Sequence, residues 1–410
     1  MKFIVQKFGG TSLVSEELRA RVAARVIEAR QEGYSPVVVV SAIGRLGEPY
    51  ATDSLLAFAR GGKRELTARD ADILMACGEI VSGVVMAATI QKMGHPAVFL
   101  TGGQAGIITD NNHGEARIVR VEPGNILKHA GEGKIVVVAG FQGVTADGEV
   151  TTLGRGGSDT SAAALGVALD AAWVDIYTDV EGIMTADPRI VAEARPLEVV
   201  TYNEICQLAH EGAKVIHPRA VEIAMQKGVP LRVRSTFSDS PGTLVTAQSE
   251  VYKGAIDITR DRPVTGIAYI ANITQINVRM NEVADVPDYQ RRIFKALALA
   301  GISIDFINVS PQAAVFTVKN EMAAKASSVL ENMGVEAEFL PDCAKVAVVG
   351  AGMTGVPGIM ARIVEALAGE KIRILQSADS YTTIWVLVRK EDMENSIRAL
   401  HRQFGLGEVN

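Results

Sequence analysis

The spacing of apolar and polar residues changes near residue 240. Before it, short apolar runs alternate with amphipathic stretches at residues 15–32 and 69–93. The four valines at residues 37–40 are apolar on every side, which is typical of a strand in the middle of a parallel sheet covered on both faces. Similar runs lie at residues 2–8, 135–139, 173–177 and 229–234. Strands that alternate with helices predict an open, mostly parallel α/β sheet with helices on both faces.

A different pattern follows and occurs twice. Residues 238–264 are polar and rich in turn residues, so we place a boundary there. After it, the order βαββαβ covers residues 265–340, and a similar order returns over residues 345–404. The strands are expected at residues 302–309, 313–318, 336–340, 345–349, 372–377 and 382–388, and the helices at 288–300, 357–368 and 392–404. Two copies of one small unit indicate a repeat of ferredoxin-like modules.

Composition excludes several classes of protein. Of 410 residues, 48% are hydrophobic and 21% charged, with a net charge of -6. These values are typical of a soluble protein of two or three domains without a basic face for nucleic acid. The N-terminal MKFIVQKFGG predicts neither a signal peptide nor a membrane span. Cys77, Cys206 and Cys343 lack CxxC spacing, which indicates buried thiols in a reducing compartment, and no histidines form an HxxxH pair.

Two glycine-rich loops follow predicted strands and precede predicted helices. They are residues 7–12, KFGGTS, and residues 153–163, LGRGGSDTSAA. Glycines let backbone N–H groups approach a phosphate, and Lys7 and Arg155 supply cations. Either segment alone is equally compatible with a plain glycine turn, and Asp159 with a helix N-cap. Two such loops in one sheet exceed what folding requires and favour phosphoryl transfer.

Two other segments suggest nucleotide binding in different ways. Residues 178–189, TDVEGIMTADPR, form either an ordinary long loop or a nucleotide cradle. Residues 350–355, GAGMTG, satisfy the GxGxxG dinucleotide pattern. However, the two strands predicted after them are joined by only a few residues, which indicates an antiparallel hairpin rather than a parallel pair. We therefore do not expect a dinucleotide site there.

The segments KFGGTS, GRGGSDTSA and TDVEGIMTADPR, in this order, resemble the aspartokinase family. Further matching segments are VSA at residues 40–42, ATDSLL at 51–56, CGE at 77–79, GAKVIHPR at 212–219 and QSADS at 376–380. The resemblance covers essentially the whole chain. The insert GRLGEPY at residues 44–50 is most similar to the monofunctional, diaminopimelate-sensitive branch.

The resemblance implies an amino-acid-kinase domain at residues 1–248 and ferredoxin-like ACT domains at residues 264–340 and 344–410. In this family one ACT module can be inserted into the other, which would reassign a strand. ACT domains pair between chains, so a homo-oligomer is expected, either a dimer or a tetramer. Some relatives also make a separate regulatory subunit from an internal start, which here would need a non-Met codon because no methionine lies between Met225 and Met280.

The resemblance also implies a cytoplasmic enzyme that transfers the γ-phosphoryl group of MgATP to the β-carboxylate of L-aspartate, the first step towards lysine, diaminopimelate, threonine and methionine. This carboxylate has a reference pKa of about 3.9 and needs no general base. Catalysis is then positioning and charge neutralisation. Lys7 would contact the phosphates, and Asp159 would orient Lys7. Arg155 would hold the α-carboxylate of aspartate, and Glu79 its α-ammonium.

Other residues would complete the two substrate sites by the same resemblance. The aspartate pocket would add Ser41, Thr52, Gly156, Gly157 and Ser158. The nucleotide site would comprise Lys7, Phe8, Gly9, Gly10, Ser12, Thr178, Asp179, Met184, Asp187, Arg189 and Lys214. Met184 stands where relatives often have an aromatic residue, which puts stacking on adenine in doubt. Mg²⁺ would be held mainly by phosphates and water, with no protein ligand named.

An effector site is expected in the repeated modules. Its candidates are Asn281, Asp285, Asp288 and Asn308 in the first module and Met353, Gly355, Val356 and Asp379 in the second. A loop at a helix N-terminus suits an effector's carboxylate. For any single one of these residues dimer packing is the favoured explanation, whereas for the module as a whole regulation is favoured. Lysine, threonine and diaminopimelate all stay open as effectors.

Two other functions compete with this interpretation. A kinase of the same fold could act on glutamate or acetylglutamate, but an acylated amine would not need Glu79 beside Arg155. A catalytically silent amino-acid sensor is the other alternative. A sensor without catalytic activity would be expected to lack Lys7 or Asp159, but this chain has both.

Overall fold

The computed structural model describes residues 1–61, 65–213, 215–247, 263–280, 285–353 and 356–408. The chain divides into two compact units. The first comprises Met1–Ile183, Pro196–His210 and Lys214–Ile258, and the second comprises Met184–Arg195, Glu211–Ala213 and Thr259–Asn410. Two short segments within the predicted catalytic domain therefore belong to the second unit.

An eight-stranded sheet forms the centre of the first unit, in the order β10-β12-β11-β9-β1-β2-β6-β3. Its strands are β1 (Phe3–Phe8), β2 (Ser35–Val40), β3 (Ala97–Leu100), β6 (Ile135–Ala139), β9 (Val174–Thr178), β10 (Val199–Thr201), β11 (Leu231–Ser235) and β12 (Thr243–Thr246). All neighbours are parallel except β11 and β12. The predicted open parallel sheet is confirmed.

Seven helices of the first unit lie among the described residues. They are α1 (Glu16–Gln31), α2 (Thr52–Arg60), α3 (Ala68–Lys92), α4 (Gly124–Gly131), α5 (Gly157–Ala168), α6 (Tyr202–His210) and α7 (Pro218–Lys227). The valines of β2 and all of β6 are buried, as expected for central strands. Phe8 stacks on Tyr177 of the neighbouring strand, with ring centroids 4.6 Å apart.

A second sheet of the first unit was not predicted. It has the order β5-β4-β7-β8, from β4 (Ile107–Thr109), β5 (Ile118–Val121), β7 (Gln142–Val144) and β8 (Val150–Thr152). Strands of three or four residues are too short to produce a recognisable alternation of apolar and polar positions. The loops of this sheet form part of the site described below.

Helix α3 is, by length and composition alone, apolar enough to cross a membrane. In the first unit it packs against β3, β6 and β8. A Cβ atom at Gly83 would lie 2.3 Å from the ring of Phe99, so the glycine permits this close packing. The same helix buries the carboxylates of Asp72 and Glu79. Here α3 is a core helix that also carries polar groups.

The second unit contains one antiparallel six-stranded sheet, in the order β14-β15-β13-β16-β18-β17. Its strands are β13 (Gly266–Arg279), β14 (Asp305–Val309), β15 (Ala313–Lys319), β16 (Ala337–Val349), β17 (Gln376–Asp379) and β18 (Thr383–Arg389). Its described helices are α8 (Val286–Leu299), α9 (Asn320–Asn332), α10 (Ile359–Gly369) and α11 (Met393–Gln403). The antiparallel pairing of β17 and β18 confirms the hairpin expected after the GxGxxG segment.

Strands β13 and β16 each run through both halves of this sheet. The first half of β13 pairs with the second half of β16, and the second half of β13 pairs with the first half of β16 and with β15. The strands predicted separately at residues 336–340 and 345–349 are therefore one continuous strand. Ile267 packs in one core with Val346 and Leu400, whereas Ile276 packs in another with Phe316. The first module thus interrupts the second along the chain.

Two predicted strands start later than expected because their first residues end a helix. The N–H of Ile302 donates to the carbonyl of Leu297, and that of Ile372 donates to Leu367. Each isoleucine is buried, following a residue of positive φ, Gly301 or Lys371. This is the turn in which an apolar residue packs back on the helix that it terminates. Their apolar character reflects this packing and not strand pairing.

The prediction of three buried thiols is wrong for Cys77. Its side chain is exposed on α3, whereas Cys206 is half-buried and Cys343 is buried. A cysteine on a largely apolar helix resembles a core residue in sequence, and only the packing of α3 shows which face it occupies.

Candidate active site

The carboxyl edge of the central sheet borders a cavity of about 710 Å³ in the first unit. Its lining contains every residue predicted for the acceptor pocket and both predicted catalytic residues. These are Lys7, Ser41, Thr52, Glu79, Arg155, Gly156, Gly157, Ser158 and Asp159. Carboxyl ends of parallel strands meet at one edge, which is why segments 150 residues apart converge here.

Lys7 and Asp159 form an ion pair at the base of this cavity. The Nζ atom of Lys7, near the end of β1, lies 2.8 Å from Oδ1 of Asp159 in the first turn of α5. Their side chains are only 13% and 11% exposed. The other carboxylate oxygen of Asp159 accepts a hydrogen bond from the N–H of His217 at 3.3 Å. Asp159 therefore fixes the position of the ammonium group of Lys7.

Glu79 is a buried carboxylate with one uncommitted oxygen. It is 2% exposed, and its Oε1 accepts a hydrogen bond from the N–H of Ala42 at 3.0 Å. Its Oε2 is buried and has no hydrogen-bond partner among the described residues. Burial raises the pKa of Glu79 to about 8. A cationic ligand group in the cavity would satisfy this oxygen and favour the charged form.

Arg155 supplies the opposite charge in the same cavity. It is exposed in the loop between β8 and α5, between Gly154 and Gly156, which have φ values of 73° and 66°. Within the described part of the chain, Arg155 forms no ion pair. Its guanidinium is free to hold a carboxylate through two parallel hydrogen bonds. Arg155 and Glu79 together match a molecule that carries both an anionic and a cationic group.

At two positions of the glycine-rich loops, neighbouring atoms leave no space for any residue larger than glycine. A Cβ atom at Gly10 would lie 2.2 Å from the carbonyl oxygen of Ala42. At Gly156, in the left-handed conformation that opens α5, a Cβ atom would lie 2.3 Å from the side chain of His217. Neither position therefore has room for a side chain.

Phe8 and Ser12 lie behind the first glycine loop and do not line the cavity. Phe8 is fully buried against Tyr177. The hydroxyl of Ser12 is 2.7 Å from that of Thr236, and its N–H donates to the carbonyl of Gly9. Ser12 was predicted for the nucleotide site, but its N–H is used within the loop, and either Ser12 or Thr236 can donate in the bond between their hydroxyls. Both contacts hold the loop in shape.

Of the other predicted nucleotide residues, Lys7 and Gly10 line this cavity, whereas the remaining described ones do not: Gly9, Thr178, Asp179, Met184, Asp187 and Arg189. Thr178 ends β9, and the adjacent Asp179 pairs with Arg45 at 2.9 Å. Asp187 accepts hydrogen bonds from Arg189 and, at 3.1 Å, from the hydroxyl of a tyrosine in β13, Tyr269. The guanidinium of Arg189 holds the pKa of Asp187 below its usual range. Met184, Asp187 and Arg189 belong to the second unit, and Lys214 lies outside the described residues.

The predicted effector residues are dispersed over the second unit. Asp285 caps α8 by accepting from the N–H of Asp288, which also pairs with an arginine of the same helix. Asn308 and Asp379 are exposed on the edge strands β14 and β17. Met353 is buried and Val356 exposed. Asn281 and Gly355 lie outside the described residues.

Sequence reasoning missed several residues that line the cavity, among them Met75, Gly114, Glu115 and Phe141. Met75 lies one turn before Glu79 on α3, so the helical period could have identified it. Gly114 and Glu115 lie in a polar turn between β4 and β5. No pattern marks that turn, because its position depends on the unpredicted four-stranded sheet.

Known proteins are similar to this chain in sequence. The amino acid kinase family matches residues 2–235, and an ACT domain matches residues 338–402. Aspartokinase 1 of Bacillus subtilis (strain 168) is 51% identical over 410 residues, covering 100% of both chains. The aspartokinase of Geobacillus stearothermophilus is 41% identical over 417 residues, covering 100% of this chain and 98% of the relative.

Solved structures show the same fold. Aspartokinase III of E. coli, in complex with aspartate and ADP, superposes with a TM-score of 0.79 at 24% identity, covering 98% of this chain and 99% of that one. Aspartate kinase from Synechocystis is 37% identical with a TM-score of 0.53, covering 98% of this chain and 69% of the other.

Proposed function

The chain belongs to the aspartokinase family and is an aspartate kinase, and we propose that the cavity around Glu79 and Arg155 is its aspartate site. The reaction is the transfer of the γ-phosphoryl group of MgATP to the β-carboxylate of L-aspartate, which gives 4-phospho-L-aspartate. The acceptor is a free amino acid with an α-ammonium group, an α-carboxylate and a reacting side-chain carboxylate. In the cavity, Glu79 corresponds to the α-ammonium group, Arg155 to the α-carboxylate and Lys7 to the reacting carboxylate.

One observation supports this proposal above the others. Glu79 is buried with an oxygen that has no partner among the described residues, and Arg155 in the same cavity forms no ion pair there. Burying a carboxylate without a partner costs free energy that folding alone does not recover. An α-ammonium group on Glu79 and an α-carboxylate on Arg155 would satisfy both. This pairing also favours aspartate over an N-acylated acceptor, whose nitrogen carries no charge.

The reaction needs a cation between two anions. The aspartate β-carboxylate is ionised at neutral pH, and it must approach a negatively charged phosphate. Lys7, held by Asp159 at 2.8 Å, places its ammonium group at the end of β1, where both anions would meet. Lys7 then offsets charge on the transferring group, and Asp159 prevents it from moving away. The backbone N–H groups of Gly9 and Gly10 add further donors for the phosphates.

The nucleotide site follows from the resemblance and not from the cavity. We assign Thr178 and Asp179 to it because Thr178 ends β9, which pairs with β1, and Asp179 follows directly. Met184, Asp187, Arg189 and Lys214 stay predictions for the same site. Mg²⁺ would neutralise phosphate charge when bound, and it keeps several waters and binds substrate phosphates in such enzymes. Asp159 is already paired with Lys7, so we name no protein ligand for the ion.

We propose that the second unit binds the feedback effector and joins two chains. Its edge strand β14 exposes Ile307 and Val309, 49% and 46% respectively. An edge strand with exposed apolar side chains is a surface on which another strand can pair. A second copy of the chain is the partner that the family implies. The effector is lysine, threonine or diaminopimelate, and the enzyme is expected to act in the cytoplasm.

The first experiment measures ATP-dependent acyl phosphate, trapped as a hydroxamate, with aspartate and separately with glutamate. Turnover with aspartate alone is expected. Each assay is repeated with lysine, threonine and diaminopimelate, and the inhibitor among them identifies the effector. No turnover with either acceptor, while an amino acid still raises the melting temperature, would instead support a sensor without catalytic activity.

A further inference from the structure

The wall of the cavity that carries Arg155 is built from two loops. One consists of residues 153–156, and the other of residues 113–116. They touch, because a Cβ atom at Gly154 would lie 3.3 Å from the carbonyl oxygen of Gly114. Neither loop is part of a helix or strand. Other groups must therefore hold Arg155 at a fixed place relative to Glu79.

Asp72 supplies the first of these fixed points. It is a fully buried residue of α3 and accepts hydrogen bonds from three donors. The N–H of Gly114 lies 3.1 Å from both of its oxygens, and Nδ1 of His113 lies 2.8 Å from Oδ2. The hydroxyl of Thr152 donates to Oδ1. One buried carboxylate thus binds both loops, since Thr152 immediately precedes the Arg155 loop.

Arg219 supplies a second fixed point from outside the two loops. Its Nη1 donates to the carbonyl of Leu153 at 3.1 Å and to that of Ala116 at 3.3 Å. The N–H of Ala116 also donates to the carbonyl of Thr152 at 2.9 Å. The two loops are therefore tied together at their bases and tied to α3 through Asp72.

Helix α3 connects Asp72 directly to Glu79, at the other charged end of the cavity. Asp72 and Glu79 are seven residues apart, which is two helical turns, so both lie on the same buried face. A helix is stiff over this length. The distance from Glu79 to the Arg155 loop is consequently set by the hydrogen bonds of Asp72.

From this arrangement we infer that Asp72 is a positioning residue for the acceptor substrate: it holds the Arg155 loop at the separation from Glu79 that a free α-amino acid spans. This inference rests on the proposed roles of Arg155 and Glu79. It adds a residue that does not line the cavity. Asp72 accepts hydrogen bonds from the two loops of the cavity wall, whereas Glu79 would bind the α-ammonium group of the substrate.

The test compares Asp72→Asn with the unaltered enzyme in the full-length chain. An amide has one acceptor oxygen, so Gly114, His113 and Thr152 can no longer all donate to residue 72 as they do to the carboxylate, and the loops would shift. The KM for aspartate is expected to rise about tenfold or more, since small displacements of positioning groups are costly. The KM for ATP should stay within about twofold. Thr152→Val, which removes one donor, should raise the KM for aspartate by a smaller factor.

Asp70→Asn is the matched control. Asp70 lies on the same helix and is exposed, and among the described residues its carboxylate accepts only from Thr67 and Arg69. It should leave both KM values unchanged. A KM for aspartate within about twofold of the unaltered enzyme in Asp72→Asn would overturn the inference. A parallel rise of both KM values with a fall in melting temperature would also overturn it, because that result indicates general loosening of the fold.

A double-mutant cycle separates this inference from the proposed function. Arg155→Gln alone should raise the KM for aspartate. In that background Asp72→Asn should add little, because the group that it positions is gone. If Arg155→Gln has no effect on the KM for aspartate, the proposed aspartate site is wrong. If Arg155→Gln raises it but the effect of Asp72→Asn is simply additive, only the role of Asp72 is wrong.

Discussion

Asp72 and Glu79 lie two turns apart on one buried face of α3, yet their carboxylates differ in hydrogen bonding. Asp72 accepts hydrogen bonds from three donors, whereas one oxygen of Glu79 has no partner among the described residues. A carboxylate whose oxygens accept hydrogen bonds from the protein stabilises the fold, whereas a buried oxygen without a partner is available to a ligand. In the proposed site, the same helix would carry one carboxylate that positions the acceptor site and another that binds the acceptor.

Aspartate binding should become tighter as the pH rises towards 8. Burial raises the pKa of Glu79 to about 8, so at lower pH the free enzyme holds a proton there. The α-ammonium group binds the ionised form, and binding must release that proton. The KM for aspartate should fall up to about tenfold per pH unit below this pKa and level off above it. Steady-state kinetics with aspartate varied at each pH measures this dependence.

Glu79→Gln should remove that dependence on pH. The amide cannot be charged, so the KM for aspartate should be about 10- to 100-fold higher at pH above 8 and flat with pH. The KM for ATP is the internal control, because Glu79 lies on the acceptor side. A KM for aspartate that still varied with pH in the variant would assign the titration to another group.

The unliganded protein should lose stability over the same pH range. The folded pKa of Glu79, about 8, is above its ordinary value of 4.5, so the native state binds the proton more tightly than the unfolded state. This stabilisation is complete below about pH 4.5 and is lost as the pH rises to about 8. Denaturant unfolding at several pH values measures this effect: the free energy of unfolding should fall less with rising pH in Glu79→Gln than in the unaltered enzyme. An identical fall in both would contradict the prediction.

Lys7→Met should abolish turnover with little effect on aspartate binding. Lys7 is expected to act mainly on the transferring phosphoryl group, so kcat should fall by about 10²- to 10³-fold or more. The KM for aspartate should change by less than about threefold. Asp159→Asn, which leaves Lys7 without its partner, should lower kcat in the same direction. Combined, the two substitutions should be far from additive, since they disrupt one ion pair.

Arg155→Lys should raise the KM for aspartate despite keeping the charge. A lysine ammonium cannot form the two parallel hydrogen bonds that a guanidinium offers a carboxylate. A rise of about tenfold is expected, since each hydrogen bond to a charged group is worth about 1.5–3 kcal/mol. Competition by succinate, which lacks the α-amino group, gives a second measurement. Equal inhibition of both enzymes by succinate would mean that Arg155 does not contact a carboxylate.

Gly10→Ala should impair both catalysis and folding. The new methyl group would lie 2.2 Å from the carbonyl oxygen of Ala42, so the loop after β1 must move. A loss of about 1–3 kcal/mol in stability and a clear fall in kcat are expected. Gly124→Ala is the control, because a Cβ atom there meets nothing within 4 Å at the start of α4. Its melting temperature should be nearly unchanged.

The sequence alone was sufficient to predict the five adjacent strands β11, β9, β1, β2 and β6 of the central sheet and several of the residues that line its edge. The buried valine run of β2 and the glycines beside Lys7 and Arg155 carry local signals, because each depends on neighbours within a few residues. Parallel strands then bring their carboxyl ends together whatever the details of the loops. For this reason the loops of Lys7 and of Arg155 and Asp159 were expected at one edge of the sheet, whereas Glu79 and the role of each residue were predicted from the resemblance to the aspartokinase family.

Only the tertiary structure decided which polar groups have partners and which strands are continuous. The uncommitted oxygen of Glu79, the saturated carboxylate of Asp72 and the bonds of Ser12 depend on residues far away in sequence. Strand β16 reads as two strands because its two halves pack into different cores, and no local pattern shows that the pairing runs through. Hydrogen bonding and burial are properties of the packed chain, whereas propensity and periodicity belong to the sequence.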